Sequence, residues 1–320
     1  MLSQDLRLCP HVRSLHINGT VHDILGSELK WERNASGLII TPQESIQRWQ
    51  DILLRLVNCQ SFHVYKHFTP VRPSKNLDPC DTITILLSII TAIERPLRDL
   101  SILFVPPDCT GGHLIDMSRV DKALLREPKF ITTSLEALTF RYSMDTEETV
   151  DFVIQFIQHA THLQRLRIDA DYGDYSTTII SRLQSTTLRL RELTLETGHV
   201  GSSDVLITFL ASSKQSLAKV SFACIQLDSG EWASVLQALS KFPSLMEIST
   251  HLLGQGRSRI HFPAVMQDPI VDPVLGTKFS YTARKLRQGP RTLMVAYSGH
   301  GMDIALQKLA EFATPWRIGG

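Results

Sequence analysis

His300 stands between two glycines in Tyr297-Ser298-Gly299-His300-Gly301, directly after the apolar run Leu293-Met294-Val295-Ala296. A histidine held at the end of a strand can serve as general base toward a cysteine nucleophile. That chemistry needs a thiol within reach, yet the last cysteine, Cys224, lies upstream and only 20 residues follow His300. A tight strand-to-helix connection, with Ser298 or Asp303 serving the helix start, is the simpler reading. His63-x-x-x-His67 puts two imidazoles on one face of a strand, as a metal pair would require. It lacks the glutamate of a helical zinc motif and any acidic third ligand, so surface histidines beside a proline-rich loop are expected. Asp169-x-Asp171-x-x-Asp174 has the start of a calcium loop. Asp174 occupies the sixth place, where glycine is needed, and Ile180 the twelfth, where glutamate is needed. Its carboxylates are expected to cap a helix. Arg284-Lys285-Leu286-Arg287 with Arg291 is a short basic run without exposed aromatics suited to stacking on bases, expected to be a solvated face. There is no phosphate-binding glycine loop and no G-x-S-x-G. No catalytic residue, metal or cofactor is expected.

Composition narrows the setting. Lys plus Arg is 33 and Asp plus Glu 32 in 320 residues, a formal net charge of +1. So balanced a chain has no global field to draw it onto nucleic acid or an anionic membrane. Five scattered cysteines (Cys9, Cys59, Cys80, Cys109, Cys224) with no CxxC pair argue against a secreted disulfide framework and a thiolate zinc site. The first residues lack the pattern of a signal peptide, and the longest apolar stretch, Ile83 to Ile93, is too short to span a bilayer. An intracellular protein, cytoplasmic or nuclear, is expected, so the sequon Asn34-Ala35-Ser36 would not be glycosylated.

The elements that position these residues recur. In the register L-x-x-L-x-L the chain gives Val12-Leu15-Ile17, Cys59-Phe62-Val64, Leu97-Leu100-Ile102, Leu135-Leu138-Phe140, Leu163-Leu166-Ile168, Leu190-Leu193-Leu195, Leu217-Val220-Phe222 and Leu245-Ile248-Thr250. The middle residues are spaced by 47, 38, 38, 28, 27, 27 and 28 positions. Four consecutive gaps this close define a repeat. Each register alternates apolar and polar residues, as a half-buried strand does. Between registers, Val150, Val153, Ile154 and Ile157, and likewise Trp232, Val235, Leu236, Leu239 and Phe242, have helical spacing. Capping signals precede helices at Thr41-Pro42-Gln43-Glu44, Asp145-Thr146-Glu147-Glu148 and Asp228-Ser229-Gly230-Glu231.

Strand, turn and helix in about 28 residues resembles the leucine-rich repeat of the ribonuclease-inhibitor-like length class. The resemblance covers residues 1–256, about eight irregular repeats. In that family an asparagine ladder closes the turn after each strand. Here the place is taken by Thr20, His67, Val105, Ser143, Asp171, Gly198, Ile225 and Leu253, so an irregular horseshoe is expected, with an insertion at 18–41 and proline-rich extensions (Pro70, Pro73, Pro79; Pro106, Pro107). Leu6-x-x-Cys9-Pro10-His11-Val12-x-x-Leu15 matches Leu239-x-x-Phe242-Pro243-Ser244-Leu245-x-x-Ile248, so the N-terminal end is expected inside a repeat, without a cap. Residues 257–320 read as a loop over 257–276, strands at Lys278–Tyr281 and Thr292–Tyr297, and a final helix through Met302, Ala305, Leu306, Leu309 and Phe312. The fold class expected is therefore α/β: a right-handed leucine-rich-repeat solenoid with inner parallel sheet, outer helices and a C-terminal strand-helix cap.

Irregular repeats with a helix-Pro-x-L-x-x-L junction and such a cap resemble the leucine-rich-repeat region of filamentous-fungal F-box-type proteins. The resemblance implies a non-catalytic protein-protein interaction module, the substrate-recognition half of a ubiquitin-ligase receptor. A ligase adaptor would be a partner only with an F-box upstream, which this chain lacks. The pentapeptide at His300 separately resembles the histidine motif of caspase-like peptidases, and would imply a cysteine peptidase fragment; a truncated fragment without independent function is the third alternative. On the interaction reading, residues flanking the second and third leucines of each register line the concave face. They form a charged centre of Arg141, Arg165, Arg167, Glu192, Glu196 and Lys219, with His63 and Tyr65 nearer the N-terminus. A protein partner is expected there, and neither nucleic acid nor membrane. The competing reading is an ordinary solvated sheet whose charges neutralise one another across strands.

Overall fold

The computed structural model describes residues 7–19, 29–41, 43–67, 79–93, 95–105, 120, 133–141, 146–170, 176–286 and 289–317. The chain divides into two compact units, Met1–Leu163 and Gln164–Gly320. Each is α/β and built on mostly parallel strands. The boundary at 256 expected from the repeat period falls inside the second unit.

In the first unit, β1 (Ser14–Gly19), β2 (Ser61–His67), β3 (Asp99–Val105) and β4 (Ala137–Arg141) pair in parallel and in sequence order. The middle residues of the repeat stand opposite one another, Leu15 to Phe62 to Leu100 to Leu138. β3 and β4 are entered the same way. The carbonyl of Gln60 accepts from the N–H groups of Arg98 and Asp99, and that of Arg98 from Glu136 and Ala137. Helices α1 (Glu44–Arg55), α2 (Pro79–Ile93) and α3 (Glu147–His159) belong to this unit. The apolar stretch Ile83–Ile93 lies in α2, where every residue from Cys80 to Ile90 is buried. A helix apolar on all sides must be enclosed. Among the described residues no helix is long and apolar enough to cross a membrane. Phe140 of β4 packs edge-on against Phe152 and Phe156 of α3, ring centroids 6.1 and 6.2 Å away.

Of the expected 18–41 insertion, residues 18 and 19 belong to β1, and residues 29–41 are held on the unit by polar contacts. The Arg33 guanidinium grips buried Asp81, in the first turn of α2, through both nitrogens at 3.0 and 2.6 Å. The Gln43 amide accepts from Glu32 N–H and donates to the Ile40 carbonyl. Thr41 therefore does not cap α1; Gln43 occupies the cap position, with Pro42 outside the described residues. Before α3 the cap is Thr146, whose hydroxyl accepts from Thr149 N–H; Asp145 lies outside the described residues.

The second unit continues the pattern. β5 (Arg165–Asp169), β6 (Glu192–Ser202), β7 (Lys219–Ser229) and β8 (Glu247–His251) pair in parallel, with Leu166, Leu193, Val220 and Ile248 in one row. Helices α4 (Ser176–Leu183), α5 (Ser203–Ala211) and α6 (Trp232–Leu239) alternate with them. β6 and β7 have two legs each. Thr197, Cys224 and the equivalent Leu252 after β8 have φ of 47°, 56° and 50°, the left-handed region, and turn a corner. Beyond it the legs pair again, Gly198 with Ile225 and Val200 with Leu227, and β9 (Gly254–Gln255) joins β7 in parallel. Gly198, Ile225 and Leu253 stand where the resembled pattern has asparagine. Main-chain pairing satisfies the backbone at these positions.

The start of α6 departs from the expected cap. Asp228 does not bond the helix; it pairs with His199 at 3.0 Å. The side chain of Gln255 accepts from Trp232 N–H instead, and the buried indole donates to the Gly254 carbonyl at 2.7 Å. The segment 257–276 is more than a loop, because it contains β10 (Ser258–His261), α7 (Pro263–Gln267) and β11 (Ile270–Asp272), paired antiparallel with β12 (Thr277–Lys278). β13 (Ser280–Leu286) and β14 (Gly289–Ser298) form a hairpin, and β14 closes antiparallel on β8. α8 (Met302–Phe312) packs on α6, and β15 (Thr314–Trp316) pairs with β10.

Gly230 has φ of 76°, and a Cβ there would lie 2.1 Å from the Ser203 hydroxyl and 3.1 Å from its backbone nitrogen. Gly230→Ala is expected to destabilise by roughly 2 kcal/mol or more, combining left-handed strain with the clash. Gly201→Ala meets nothing within 4 Å and should be close to neutral. Urea unfolding midpoints measure both; equal effects would contradict this account of the turn before α6.

Candidate functional site

One face of the parallel strands faces the helices and the other does not. In the second unit Leu166, Ile168, Leu193, Leu195, Val220, Phe222, Ile248 and Thr250 are buried, while the alternate residues are mostly exposed or half-exposed. Register fixes their rows. Arg165, Glu192, Lys219 and Glu247 stand opposite one another in succession, so the charge alternates from strand to strand. Lys219 donates to Glu247 at 2.7 Å. That bond pushes the Lys219 amine above its ordinary range, and the nearby Glu192 carboxylate adds to the effect. Arg167 donates to Glu196 at 2.8 Å, one row over and one strand across. With side chains about half open to solvent, each pair contributes at most about 1 kcal/mol.

In the first unit the equivalent rows are His16, His63, Ser101 and Thr139, then Asn18, Tyr65, Leu103 and Arg141. Sequence reading places His63, Tyr65 and Arg141 on this face, and the structure does the same. The rings of His16 and His63 stack with centroids 4.4 Å apart and planes at 17°. The Ser14 hydroxyl lies 3.0 Å from His16 Nε2. Burial pushes the His63 imidazole below its ordinary value, Asp99 opposes this, and His16 adds to it. The stacking partner of His63 is thus one strand across; the side chain of His67 lies outside the described residues.

The remaining motifs separate. Ser298 stands opposite Glu247, and Glu247 opposite Lys219, so His300 follows the end of β14 beside the start of β8, level with the start of β7 one strand further on. Cys224 sits five residues along β7, about 16 Å away by strand rise alone. Burial pushes the thiols of Cys59 and Cys224 up, away from the nucleophilic thiolate. His300 lies in a tight connection. Its carbonyl accepts from the Tyr297 hydroxyl, Gly299 and Gly301 have φ of 121° and 74°, and Gly301 caps α8. Asp169 is buried, while Asp171 and Asp174 lie outside the described residues. Among the described residues no group of three or more His, Cys, Asp or Glu is placed to hold a metal.

Sequence reading misses two clusters. His199 and Asp228 meet on the second legs of β6 and β7, about one period apart, a spacing no short motif expresses. His261, Arg291 and Trp316 meet from three separate strands of the second unit. No protein-family model matches the chain, and none of the curated proteins is similar to it.

Because His63 binds its proton less readily folded than unfolded, its contribution to stability is complete above the ordinary value of 6.5 and declines as pH falls through it. The melting temperature should fall between about pH 7.5 and about pH 5, and His63→Gln should lessen that fall. An unchanged fall in the variant would show that the stacked pair is not its source.

Proposed function

We propose that the chain is a non-catalytic protein-protein interaction module whose strands and helices are leucine-rich repeats of a right-handed solenoid. The observation that carries this reading is the open polar face of the parallel strands. Parallel sheets are ordinarily covered on both faces, and their strands then read as continuous apolar runs. Here most of the strands alternate, with exceptions at buried Ser101, Ala137 and Asp169, and the helices pack on the apolar side. Side chains fixed on rigid strands lose little ordering entropy on binding, so such a face suits recognition of a protein surface. Arg165 and Arg167 are the strongest candidates for contact, since the planar guanidinium fork suits interface recognition. Glu192, Glu196 and Lys219 hold them in an alternating frame and would set which charges a partner must present.

Resemblance to the repeat region of F-box-type proteins extends the proposal to recognition of a ubiquitin-ligase substrate, with adaptor binding dependent on an F-box supplied elsewhere. A caspase-like activity is the weaker reading, because Cys224 lies at the corner within β7 while His300 lies beyond the end of β14, level with the start of β7.

Affinity capture from cell extract followed by mass spectrometry tests the interaction reading. Arg165→Glu with Arg167→Glu should lose proteins that the unaltered chain retains. Lys214→Glu with Lys241→Glu, in the turns after α5 and α6, should keep them. If the two double variants retain the same set, the open face is a solvated sheet and not the contact surface.

A further inference from the structure

Arg167 and Lys219 on the open face have carboxylate partners; the basic residues of the C-terminal hairpin have none among the described residues. β13 ends the sheet of the second unit: it pairs with β14, and among the described residues no strand lies on its outer side. Residues 281–285 are all exposed. Arg284 stands directly opposite Arg291 across the hairpin, with Lys285 beside it. Like charges in direct register repel.

A second observation points the same way. Arg291 Nε is buried without a hydrogen-bond partner, and so is Nδ1 of His261, a residue only 6% exposed. The two residues are neighbours, because Phe262 N–H donates to the Thr292 hydroxyl at 2.6 Å. Both lie against Trp316, the guanidinium carbon 5.7 Å and the imidazole 6.5 Å from its ring centroid. Buried polar atoms are ordinarily satisfied; the Arg291 Nε–H lacks an acceptor, while His261 Nδ1 can donate or accept according to its tautomer. Arg284 shares the face of Arg291, so an acceptor reaching this face meets two guanidinium groups and is favoured if anionic.

We propose that the outer edge of β13 is a docking site for an extended acidic peptide. Its main chain would pair with the free edge of β13, and its carboxylates would meet Arg284 and Arg291. The unpaired strand edge favours a peptide over other polyanions, since only a peptide matches a row of main-chain donors and acceptors. The site is separate from the open face and does not rest on the interaction module proposed there.

Fluorescence anisotropy on the whole chain tests it with three labelled peptides: one alternating glutamate with valine or threonine, its lysine counterpart, and the glutamate peptide interrupted by proline. The glutamate peptide should bind, and the other two should bind at least tenfold more weakly. Arg284→Glu with Lys285→Glu, at exposed positions, and separately Arg291→Gln should each weaken it about tenfold or more, while Arg165→Glu with Arg167→Glu should leave it unchanged. Equal binding of the proline-interrupted peptide would overturn strand pairing. Tighter binding of single-stranded RNA than of the peptide would overturn the choice of partner. No binding at all, with aggregation of the Arg284→Glu, Lys285→Glu variant, would mean that these charges only guard an exposed strand edge.

Discussion

β6, β7 and β8 each reach a corner whose main-chain polar groups must be satisfied close to the core. In the second unit the chain does this by carrying its ladder around the corner. Thr197, Cys224 and Leu252 enter the left-handed region although none is glycine, a conformation costing each on the order of 1 kcal/mol. The ladder bonds made beyond the corner, each worth about as much, offset it. Much of the second unit depends on that exchange. The second legs of β6 and β7 exist because of it, and β9 can join them. β9 in turn brings Gly254 and Gln255 to the indole and backbone of Trp232, which is why α6 starts where it does.

The same regularity organises the open face. Strands that repeat in register place equivalent side chains in rows, so a charge set at one repeat meets its counterpart at the next. Arg165, Glu192, Lys219 and Glu247 alternate in sign along one such row. The hairpin of β13 and β14 lies outside the repeat, runs antiparallel, and brings Arg284 opposite Arg291. Charge balance in this unit follows the period and lapses where the period ends.

The strand rows are legible in the sequence because the L-x-x-L-x-L register is a local pattern, and Leu166, Leu193, Val220 and Ile248 pair as that pattern implies. Helical faces such as Val150, Val153, Ile154 and Ile157 are legible for the same reason. Caps are less so. Asp228 looks like the acceptor for α6, but Gln255, 23 residues after Trp232, takes that bond, and Asp228 turns to His199. Nothing local announces that Arg33 reaches Asp81, 48 positions on. Residues 263–267 read as loop because Pro263 breaks a strand, yet proline also opens a helix, and here it does. Alternation alone gives the rows of the candidate face. It cannot give the His16–His63 stack or the His261–Arg291–Trp316 cluster, because each needs residues from different strands at a particular distance.

The alternating row has a kinetic consequence. Opposite charges a few ångströms apart cancel at a distance, so the row projects almost no potential beyond a Debye length of about 8 Å in physiological salt. A molecule approaching it is neither accelerated nor oriented until the surfaces touch. On the proposed interaction reading, association there would be unsteered, at about 10⁵–10⁶ M⁻¹s⁻¹, and would vary little with ionic strength. Discrimination between partners would then rest on how long each stays, because the row would act only after contact, through whichever of its pairs an incoming side chain could match or replace.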